Sequence, residues 1–432
     1  MLTAALVLLG ALILLLACGL WIGLALIAVA ALALTLFTAR APADALALAL
    51  WGSLSGWTLT ALPLFLWMGE ILARSRLADA LFTALSPWLG RIPGRLLHTN
   101  ILGCTVFATV SGSSAATCAT VGRMTLPELD RRGYPAIQSV GTLAGAGTLG
   151  LLIPPSIIMI VYGVAADVSI PQLFAAGLLP GLVLAGGFML YTVLWSMRNP
   201  AAIPPPDAPV SGHARLRALR GLLPVGLLML LVLGSIYSGI ATPTEAAALG
   251  VVGAMLVGAQ DGTLSRATLG ASINAAIRLY AAIALILGAA ACLTLAMGYL
   301  GLPRAAAAWI SDMALPTPAL LLALLGLYVV LGCFLDGISV VVLTASMVLP
   351  MVQAAGIDLL WFGIFTVIAV EMAQITPPVG FNLFVLQGMT GRELPWIARA
   401  AAPMFVVMLG AVVVLWWLPG LATWLPAQLI SR

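Results

Sequence analysis

Two polar interruptions within long apolar stretches carry the side chains best suited to binding a small ion. The first, at residues 111–114, has the sequence SGSS, and it is followed by an IPPS motif that ends at Ser156. The second contains Asp336, and it is followed by Thr376, Pro377 and Pro378. The polar tip and the later proline pair therefore occur twice, in the same order.

Interrupted helices in a membrane leave backbone carbonyls and N–H groups that need other partners. Carbonyl and hydroxyl oxygens suit a small cation such as Na+, and the N-termini of half-helices favour an anion such as a carboxylate. Asp336 and Thr376 offer polar groups in the second half, with one formal negative charge. The hydroxyl groups of the first half belong to Ser111, Ser113, Ser114, Thr117 and Thr148.

Each motif also has a structural interpretation. Small residues such as SGSS let membrane helices pack closely, and a proline pair can simply kink a helix. Glu371, just before Thr376, could support the site, carry a proton or bond to a neighbouring helix. Asp336 is harder to explain by packing because an ionisable group in a membrane segment costs a few kcal/mol. The repeated pairing of tips with proline pairs favours the functional interpretation.

The composition excludes a soluble globular protein. Hydrophobic residues make up 62% of the 432 positions and charged residues only 7%, whereas soluble domains have about a quarter charged residues. Several apolar stretches exceed the roughly 18 residues that a spanning helix needs, and they lack the alternation of barrel strands. We expect an all-α polytopic membrane protein with about 11 transmembrane helices and two re-entrant hairpins.

Charge and cysteine usage narrow the function further. The basic residues are all arginine, which indicates positive cytoplasmic loops rather than nucleic-acid binding. The five cysteines lie in apolar segments without metal-ligand spacing, so no disulfide framework is predicted. No cofactor is expected, and Na+ is the only metal ion predicted to bind.

Composition shifts divide the chain into five segments. They are an N-terminal helical pair with an interfacial segment at 1–56, a first repeat at 57–197, a polar linker at 198–220, a second repeat at 221–420 and a tail at 421–432. A turn-rich connection is expected at 86–95. A cytoplasmic linker places fifteen of the 18 arginines on that side and leaves Arg40, Arg304 and Arg432 outside, as the positive-inside rule predicts.

Each repeat is predicted to contain a hairpin and a broken helix. Residues 96–129 carry arginine near both ends, and each arm of about 14 residues is too short to cross a core of about 30 Å, so a re-entrant hairpin is expected. Residues 135–166 are interrupted by glycines and by Pro154 and Pro155. Residues 319–351 and 359–387 are the second hairpin and broken helix.

A constant difference in residue number relates corresponding positions in the two halves of the chain. Subtracting 223 carries Pro350 to Pro127, Gly356 to Gly133, Pro377 to Pro154, Pro378 to Pro155 and Asp336 to Ser113. Sequence identity between the halves is low, so the placement of helix breakers is the evidence. The arginine distribution puts the ends of the two hairpins on opposite sides, which predicts inverted-topology repeats typical of secondary transporters.

Four segments give the sequence a resemblance to a known family. They are SGSSAATCATVGRMTLPEL at 111–129, GTLGLLIPPS at 147–156, FLDG at 334–337 and ITPPVGFNLFV at 375–385. These segments resemble the large membrane subunit of tripartite ATP-independent periplasmic (TRAP) transporters. The resemblance implies an elevator-type, Na+-driven importer of organic acids in the bacterial inner membrane. It also implies a small four-helix membrane subunit and a periplasmic substrate-binding protein as partners.

The resemblance also implies positions for the bound ligands. The cation-binding residues are Ser111, Gly112, Ser113, Ser114, Gly150, Pro154, Asp336, Gly337, Thr376 and Pro377. The residues for a small carboxylate substrate are Ser113, Ser114, Thr117, Thr148, Pro155, Asp336, Pro378 and Asn382, with Glu371 as a supporting residue. Arg123, within the second arm of the first hairpin, departs from the family pattern.

Two alternatives compete with this interpretation. A stand-alone carrier of the same superfamily, coupled to Na+ or protons, would need no partner subunits. An intramembrane enzyme is the alternative from another class, and a serine protease would need a base near residues 111–114. The two histidines, His98 and His213, lie at a predicted membrane edge and in the polar linker, so an enzyme is not expected.

Overall fold

The computed structural model describes residues 2–205, 211–313 and 316–430. All regular elements within these ranges are helices, as the need to pair backbone polar groups in lipid requires of long apolar stretches. The predicted all-α fold is confirmed. Residues 206–210 of the linker and residues 431–432 of the tail, including Arg432, lie outside the described ranges.

The first half contains a helical hairpin and an interrupted helix. Its helices are α1 (Leu2–Ala17), α2 (Ile22–Phe37), α3 (Pro42–Leu54), α4 (Ala61–Leu72), α5 (Leu77–Leu89), α6 (Leu97–Ser111), α7 (Ser114–Arg131), α8 (Ala136–Gly147), α9 (Leu149–Leu152), α10 (Ile157–Ala166) and α11 (Ile170–Arg198). The α6–α7 hairpin turns at Gly112, whose φ of 59° suits glycine. The α8–α9 segment and α10 are bent by 43° at the Pro154–Pro155 break.

The second half has the same succession. Its helices are α12 (Gly212–Ala218), α13 (Leu223–Tyr237), α14 (Pro243–Gln260), α15 (Arg266–Leu300), α16 (Leu302–Met313), α17 (Thr317–Gly332), α18 (Gly337–Ala354), α19 (Leu359–Gln374), α20 (Phe381–Thr390), α21 (Leu394–Trp417) and α22 (Gly420–Ile430). The α17–α18 hairpin turns at residues 333–336, and Pro377 and Pro378 separate α19 from α20.

Five helices in the described part of the chain are long and apolar enough to cross a membrane, and seven spans result if each bent pair counts as one. Four further apolar helices have 10–17 residues, among them α2 and α17. The protein is thus a multi-pass membrane protein, and the count of about 11 spans stays a prediction.

The offset of 223 also relates the helices. Adding 223 to the bounds of α7, 114 and 131, gives 337 and 354, which are the bounds of α18. Adding it to 136, where α8 begins, gives 359, where α19 begins. The packing is reciprocal, because α7 packs against α20 while α18 packs against α10. Each hairpin therefore contacts the broken helix of the other half.

Two clusters of buried side chains hold the helices together. The larger involves the hairpins, the broken helices and their neighbours α4, α11, α14 and α21. The smaller joins α1, α2 and α3 to the C-terminal half of α15. Helix α15 contacts α2, α3, α4 and α18, so it lies between the N-terminal helices and the second hairpin.

Two boundaries differ from the sequence-based expectations. Residues 86–89 belong to α5 rather than to a connection, because Pro87 lies in the last turn of that helix and does not end it. The sequence predicts a final span at 401–417, and helix α21 begins seven residues earlier, at Leu394, with Pro395 in its first turn. Proline is tolerated in a first turn because the missing N–H has no helical partner there.

Candidate ion and substrate site

The first hairpin tip is a compact network of hydroxyls. Ser113 caps α7, where its Oγ accepts a hydrogen bond from Ala116 N at 3.4 Å. Ser111 Oγ donates to Ser113 O at 2.9 Å and lies 2.7 Å from Thr117 Oγ1. Because Ser113 reaches its extended conformation through Gly112, the glycine positions the cap.

The first broken helix lies directly against this tip. A Cβ atom added at Gly150 would be 2.6 Å from Ser113 O and 2.7 Å from Thr117 Oγ1. One added at Gly112 would be 3.0 Å from Pro155 O. The absence of side chains at both glycines is what brings backbone and hydroxyl oxygens together here. Thr148, by contrast, donates to Gly145 O in its own helix at 2.6 Å.

Ser114 turns away from the tip and connects the two halves. Its Oγ lies 3.0 Å from Gly147 O and 2.8 Å from Glu371 Oε2, and it accepts a hydrogen bond from Asn382 Nδ2 at 3.0 Å. These residues come from α7, α8, α19 and α20. We call Ser114, Gly147, Glu371 and Asn382 the inter-repeat cluster.

The second tip is built around a charged helix cap. Asp336 caps α18, with Oδ2 accepting from Ser339 N at 3.2 Å and Oδ1 accepting from Ser339 Oγ. Cys333 joins this tip to the second broken helix, because its Sγ donates to Pro377 O at 3.4 Å and its carbonyl accepts from Gly380 N at 3.3 Å. Thr376 Oγ1 donates to Met372 O at 2.7 Å.

The first turn of α10 lies between the two tips. Ile157 Cγ1 would be 3.4 Å from a Cβ at Gly112, and Ile158 Cδ1 would be 3.3 Å from one at Gly337. The Pro154–Pro155 and Pro377–Pro378 peptide bonds are both cis. The two tips are thus parts of one assembly rather than two separate sites.

Exposure distinguishes the two halves of this assembly. Pro154 and Pro155 are buried, whereas Asp336, Pro377 and Pro378 are exposed at the protein surface. Asp336 was expected among apolar surroundings, and in the structure its carboxylate is paired with the N-terminus of α18 and with Ser339. A helix N-terminus favours a negative charge.

Some participants were not expected from the sequence. Ser339 and Cys333 contact the predicted residues, although neither was expected to take part in the site. The serine three residues after Asp336 is a sequence signal of a helix cap. No comparable signal links Ser114 to Glu371, because the two belong to different halves and do not correspond under the offset of 223.

A cleft of about 1140 Å³ lies beside the assembly. It is lined by α3, α15, the C-terminal half of α18 and the turn between α10 and α11. None of the predicted site residues lines it. The cleft lies between the C-terminal half of α18 and the helices α3 and α15, and α18 also contacts α15 directly.

Ionic contacts are concentrated at the ends of the helices. Glu128 near the end of α7 pairs with Arg131 and Arg132, at 2.7 Å in each case. The hydrogen bond from Arg131 is the largest of the effects that lower the pKa of Glu128. Groups of three or more His, Cys, Asp or Glu side chains that could hold a metal ion do not occur among the described residues.

The comparisons with known proteins identify the family. The family described as "Tripartite ATP-independent periplasmic transporter, DctM component" matches residues 9–421. The chain belongs to this DctM family. The resemblance seen in the four sequence segments is thus confirmed, and the DctM proteins are transporter permeases rather than enzymes.

Two curated DctM relatives cover most of the chain. A C4-dicarboxylate TRAP transporter large permease protein from Pseudomonas aeruginosa is 35% identical over 375 residues, which is 86% of each chain. Its namesake from Rhodobacter capsulatus is 31% identical over 399 residues, covering 88% of this chain and 89% of the relative. The lengths of these permeases and of this chain therefore correspond closely.

A solved structure supports the fold. The crystal structure of the Alcanivorax borkumensis YdaH transporter, described as having an unusual topology, superposes with a TM-score of 0.64. The superposition covers 87% of both chains at 18% sequence identity. At this level of identity the likeness concerns the fold alone.

Proposed function

We propose that this DctM protein is the transport subunit that imports an organic acid, together with Na+, across a bacterial inner membrane. The observation that carries the proposal is the contact of each hairpin tip with a broken helix. Interrupted helices near the middle of a transporter are where ions and substrates bind. The match to the DctM family over most of the chain supports the transport function.

The two tips suit the cation, and the half-helices beside them suit the carboxylate of the substrate. The oxygens of Ser111, Ser113 and Thr117 meet the glycine-lined backbone of the first broken helix. They form a neutral, oxygen-rich environment that can replace the hydration shell of Na+. The second tip adds the charge of Asp336, which offsets a bound cation. The N-termini of the half-helices α10 and α20 favour the carboxylate of the substrate.

Two relatives support the proposed substrate class. The two curated permeases described above are named for C4-dicarboxylates, and we extend a small carboxylate substrate to this chain. A periplasmic substrate-binding protein delivers the substrate, and a small four-helix membrane subunit assembles with the permease. The tripartite family description supports both partners.

The mechanism proposed is an elevator movement. The hairpins and broken helices, joined by the reciprocal packing of α7 with α20 and α10 with α18, move as one body. Helices α3 and α15 stay in place with the N-terminal helices. The cleft of about 1140 Å³ between the second hairpin and α15 supports this division.

The experiment that tests the proposal is uptake into proteoliposomes that contain the permease, its small subunit and the cognate binding protein loaded with a C4-dicarboxylate. We expect accumulation to require an inward Na+ gradient. Ser113→Ala should lower the apparent affinity for Na+ about tenfold or more, because it removes a cap at the first tip. Glu70→Gln, at a surface pair with Arg74, is the matched control.

Two outcomes would contradict the proposal. Na+-independent accumulation would exclude Na+ coupling, and unchanged Na+ dependence in Ser113→Ala would exclude the first tip as an ion site. Uptake by the permease without its partners would instead favour the stand-alone carrier.

A further inference from the structure

The inter-repeat cluster contains the most deeply buried acid of the described chain. Glu371 is 1% exposed and Asn382 is 0% exposed. Within the described structure, Glu371 Oε1 and Asn382 Oδ1 are buried without a hydrogen-bond partner. Buried polar atoms are rarely left without partners, and each exception needs a physical explanation.

In the part of the chain that the structure describes, this acid has no ion-pair partner. The ion pairs found among the described residues join Glu70 to Arg74 and Glu128 to Arg131 and Arg132. Glu371 has Ser114 as its hydrogen-bond partner instead. A buried carboxylate is strongly destabilising unless a positive charge, several donors or a bound proton compensates it. One hydroxyl is not sufficient compensation.

The cluster contains more hydrogen-bond acceptors than donors. Ser114 Oγ is close to Glu371 Oε2 and Gly147 O, yet a serine hydroxyl has a single hydrogen to share between two acceptors. The orientation of the Asn382 amide is assigned from its hydrogen bonds, and a rotation of the amide would turn its oxygen toward Ser114. Serine, carboxylate, amide and carbonyl oxygens would then converge.

We propose that the inter-repeat cluster is a binding site for one Na+ ion, distinct from the ion-binding oxygens of Ser111, Ser113 and Thr117 at the first tip and of Asp336 at the second. Glu371 supplies the compensating negative charge, and Ser114 Oγ, Asn382 Oδ1 and Gly147 O supply neutral oxygens. A single carboxylate matches a single positive charge. This inference deepens the proposed function and rests on Na+ as the coupling ion.

The site is present once, not twice. The offset of 223 relates Ser114 to Gly337, Glu371 to Thr148 and Asn382 to Met159. The equivalent location therefore has no acid and no amide. Because its ligands come from both halves, a bound ion would hold the first hairpin against the second broken helix.

The test is equilibrium binding of radioactive sodium to the purified full-length protein in lipid nanodiscs without substrate. We expect Glu371→Gln, which keeps the size of the side chain, to bind one Na+ fewer per chain than the wild type. Glu70→Gln should bind the wild-type number. Unchanged stoichiometry in Glu371→Gln would overturn the proposal.

Three further measurements separate the possible failures. If Glu371→Gln does not fold, Glu371→Asp should bind the wild-type number with about tenfold weaker affinity, and unchanged affinity would overturn the site. An infrared band of a carboxylic acid that disappears in Glu371→Gln and does not respond to Na+ would show that Glu371 carries a proton instead of binding Na+, and would overturn the proposal. If Asp336→Asn binds the wild-type number of Na+ ions while Glu371→Gln binds one fewer, the second tip is excluded as an ion site and the inter-repeat site is supported.

Discussion

Asp336 has an observed role as a helix cap and a proposed role as a charge at the ion site, and one substitution can separate the two. Its carboxylate caps α18, and asparagine caps helices about as well as aspartate. Asp336→Asn therefore keeps the cap and removes the charge. We expect the Na+ concentration for half-maximal uptake to rise about tenfold or more, with an unchanged midpoint of thermal unfolding.

Asp358 provides the control for this substitution. It caps α19 through a 2.8 Å hydrogen bond from Trp361 N. Asp358→Asn should change neither the Na+ dependence nor the stability. A loss of stability in Asp336→Asn with normal Na+ dependence would reduce Asp336 to a structural cap.

Gly150 of the first broken helix lies so close to the first tip that there is no room for a side chain. A Cβ would be 2.6 Å from Ser113 O, and overpacking of this kind typically costs about 1–3 kcal/mol. Gly150→Ala should lower the thermal midpoint and weaken Na+ binding, measured by unfolding with and without Na+. Gly270→Ala, where a Cβ meets nothing within 4 Å, should be neutral. Equal behaviour of the two variants would contradict the close contact.

The positions of the two hairpin tips could be predicted from the sequence, but the contacts that connect the two halves of the chain could not. Helix breakers, an isolated acid and hydroxyl clusters mark Ser113 and Asp336 because local chemistry determines them. The contact of Ser114 with Glu371 is a tertiary feature. A membrane-buried acid such as Glu371 indicates that a partner residue exists. Residue spacing cannot show that this partner, Ser114, lies in the other half of the chain.

At the scale of elements, α8 and α21 are held together by two glycines one helical turn apart. A Cβ at Gly141 would be 2.2 Å from Ala400 O, and one at Gly145 would be 2.6 Å from Met404 Cβ. Small residues at this spacing let membrane helices approach closely. We expect Gly141→Ala to destabilise the protein by about 1–3 kcal/mol, measured by thermal unfolding in detergent.

A glycine on the facing helix supplies the comparison. Gly410→Ala on α21, where a Cβ meets nothing within 4 Å, should leave the midpoint unchanged. If Gly141→Ala is equally tolerated, α8 and α21 are not in direct backbone contact.

Elements with strong signals were predicted well, and elements with mixed signals were not. Glycine, proline and polar residues placed both hairpin turns correctly because they change backbone geometry locally. Helix α5 was missed because Ser86 and Pro87, which usually favour turns, lie in its last turn. Propensity is a weak guide when packing decides, as it does for α5 against α6.

At the scale of the whole molecule, the cleft beside the second hairpin should change during transport. Ala345 of α18 lines the cleft. We expect the reaction of Ala345→Cys with a membrane-impermeant maleimide to change several-fold when Na+ and substrate are added, because the hairpin moves against α15. The measurement is the labelling rate in a background with the exposed Cys18 replaced by serine.

The control is a cysteine on the outer face of α15. Ala267→Cys, in the first turn of α15, is exposed and lies outside the cleft, so its labelling should not respond to Na+ or substrate. Identical responses at both positions would argue against relative movement of the hairpin and α15.

The reciprocal packing of α7 with α20 and of α10 with α18 also orders biosynthesis. The first hairpin ends at Arg131, but its neighbour α20 begins only at Phe381. Until that point is translated, Ser114 has neither Glu371 nor Asn382 as a neighbour. The contacts of the first hairpin with the other half can therefore form only after most of the second half has been synthesised.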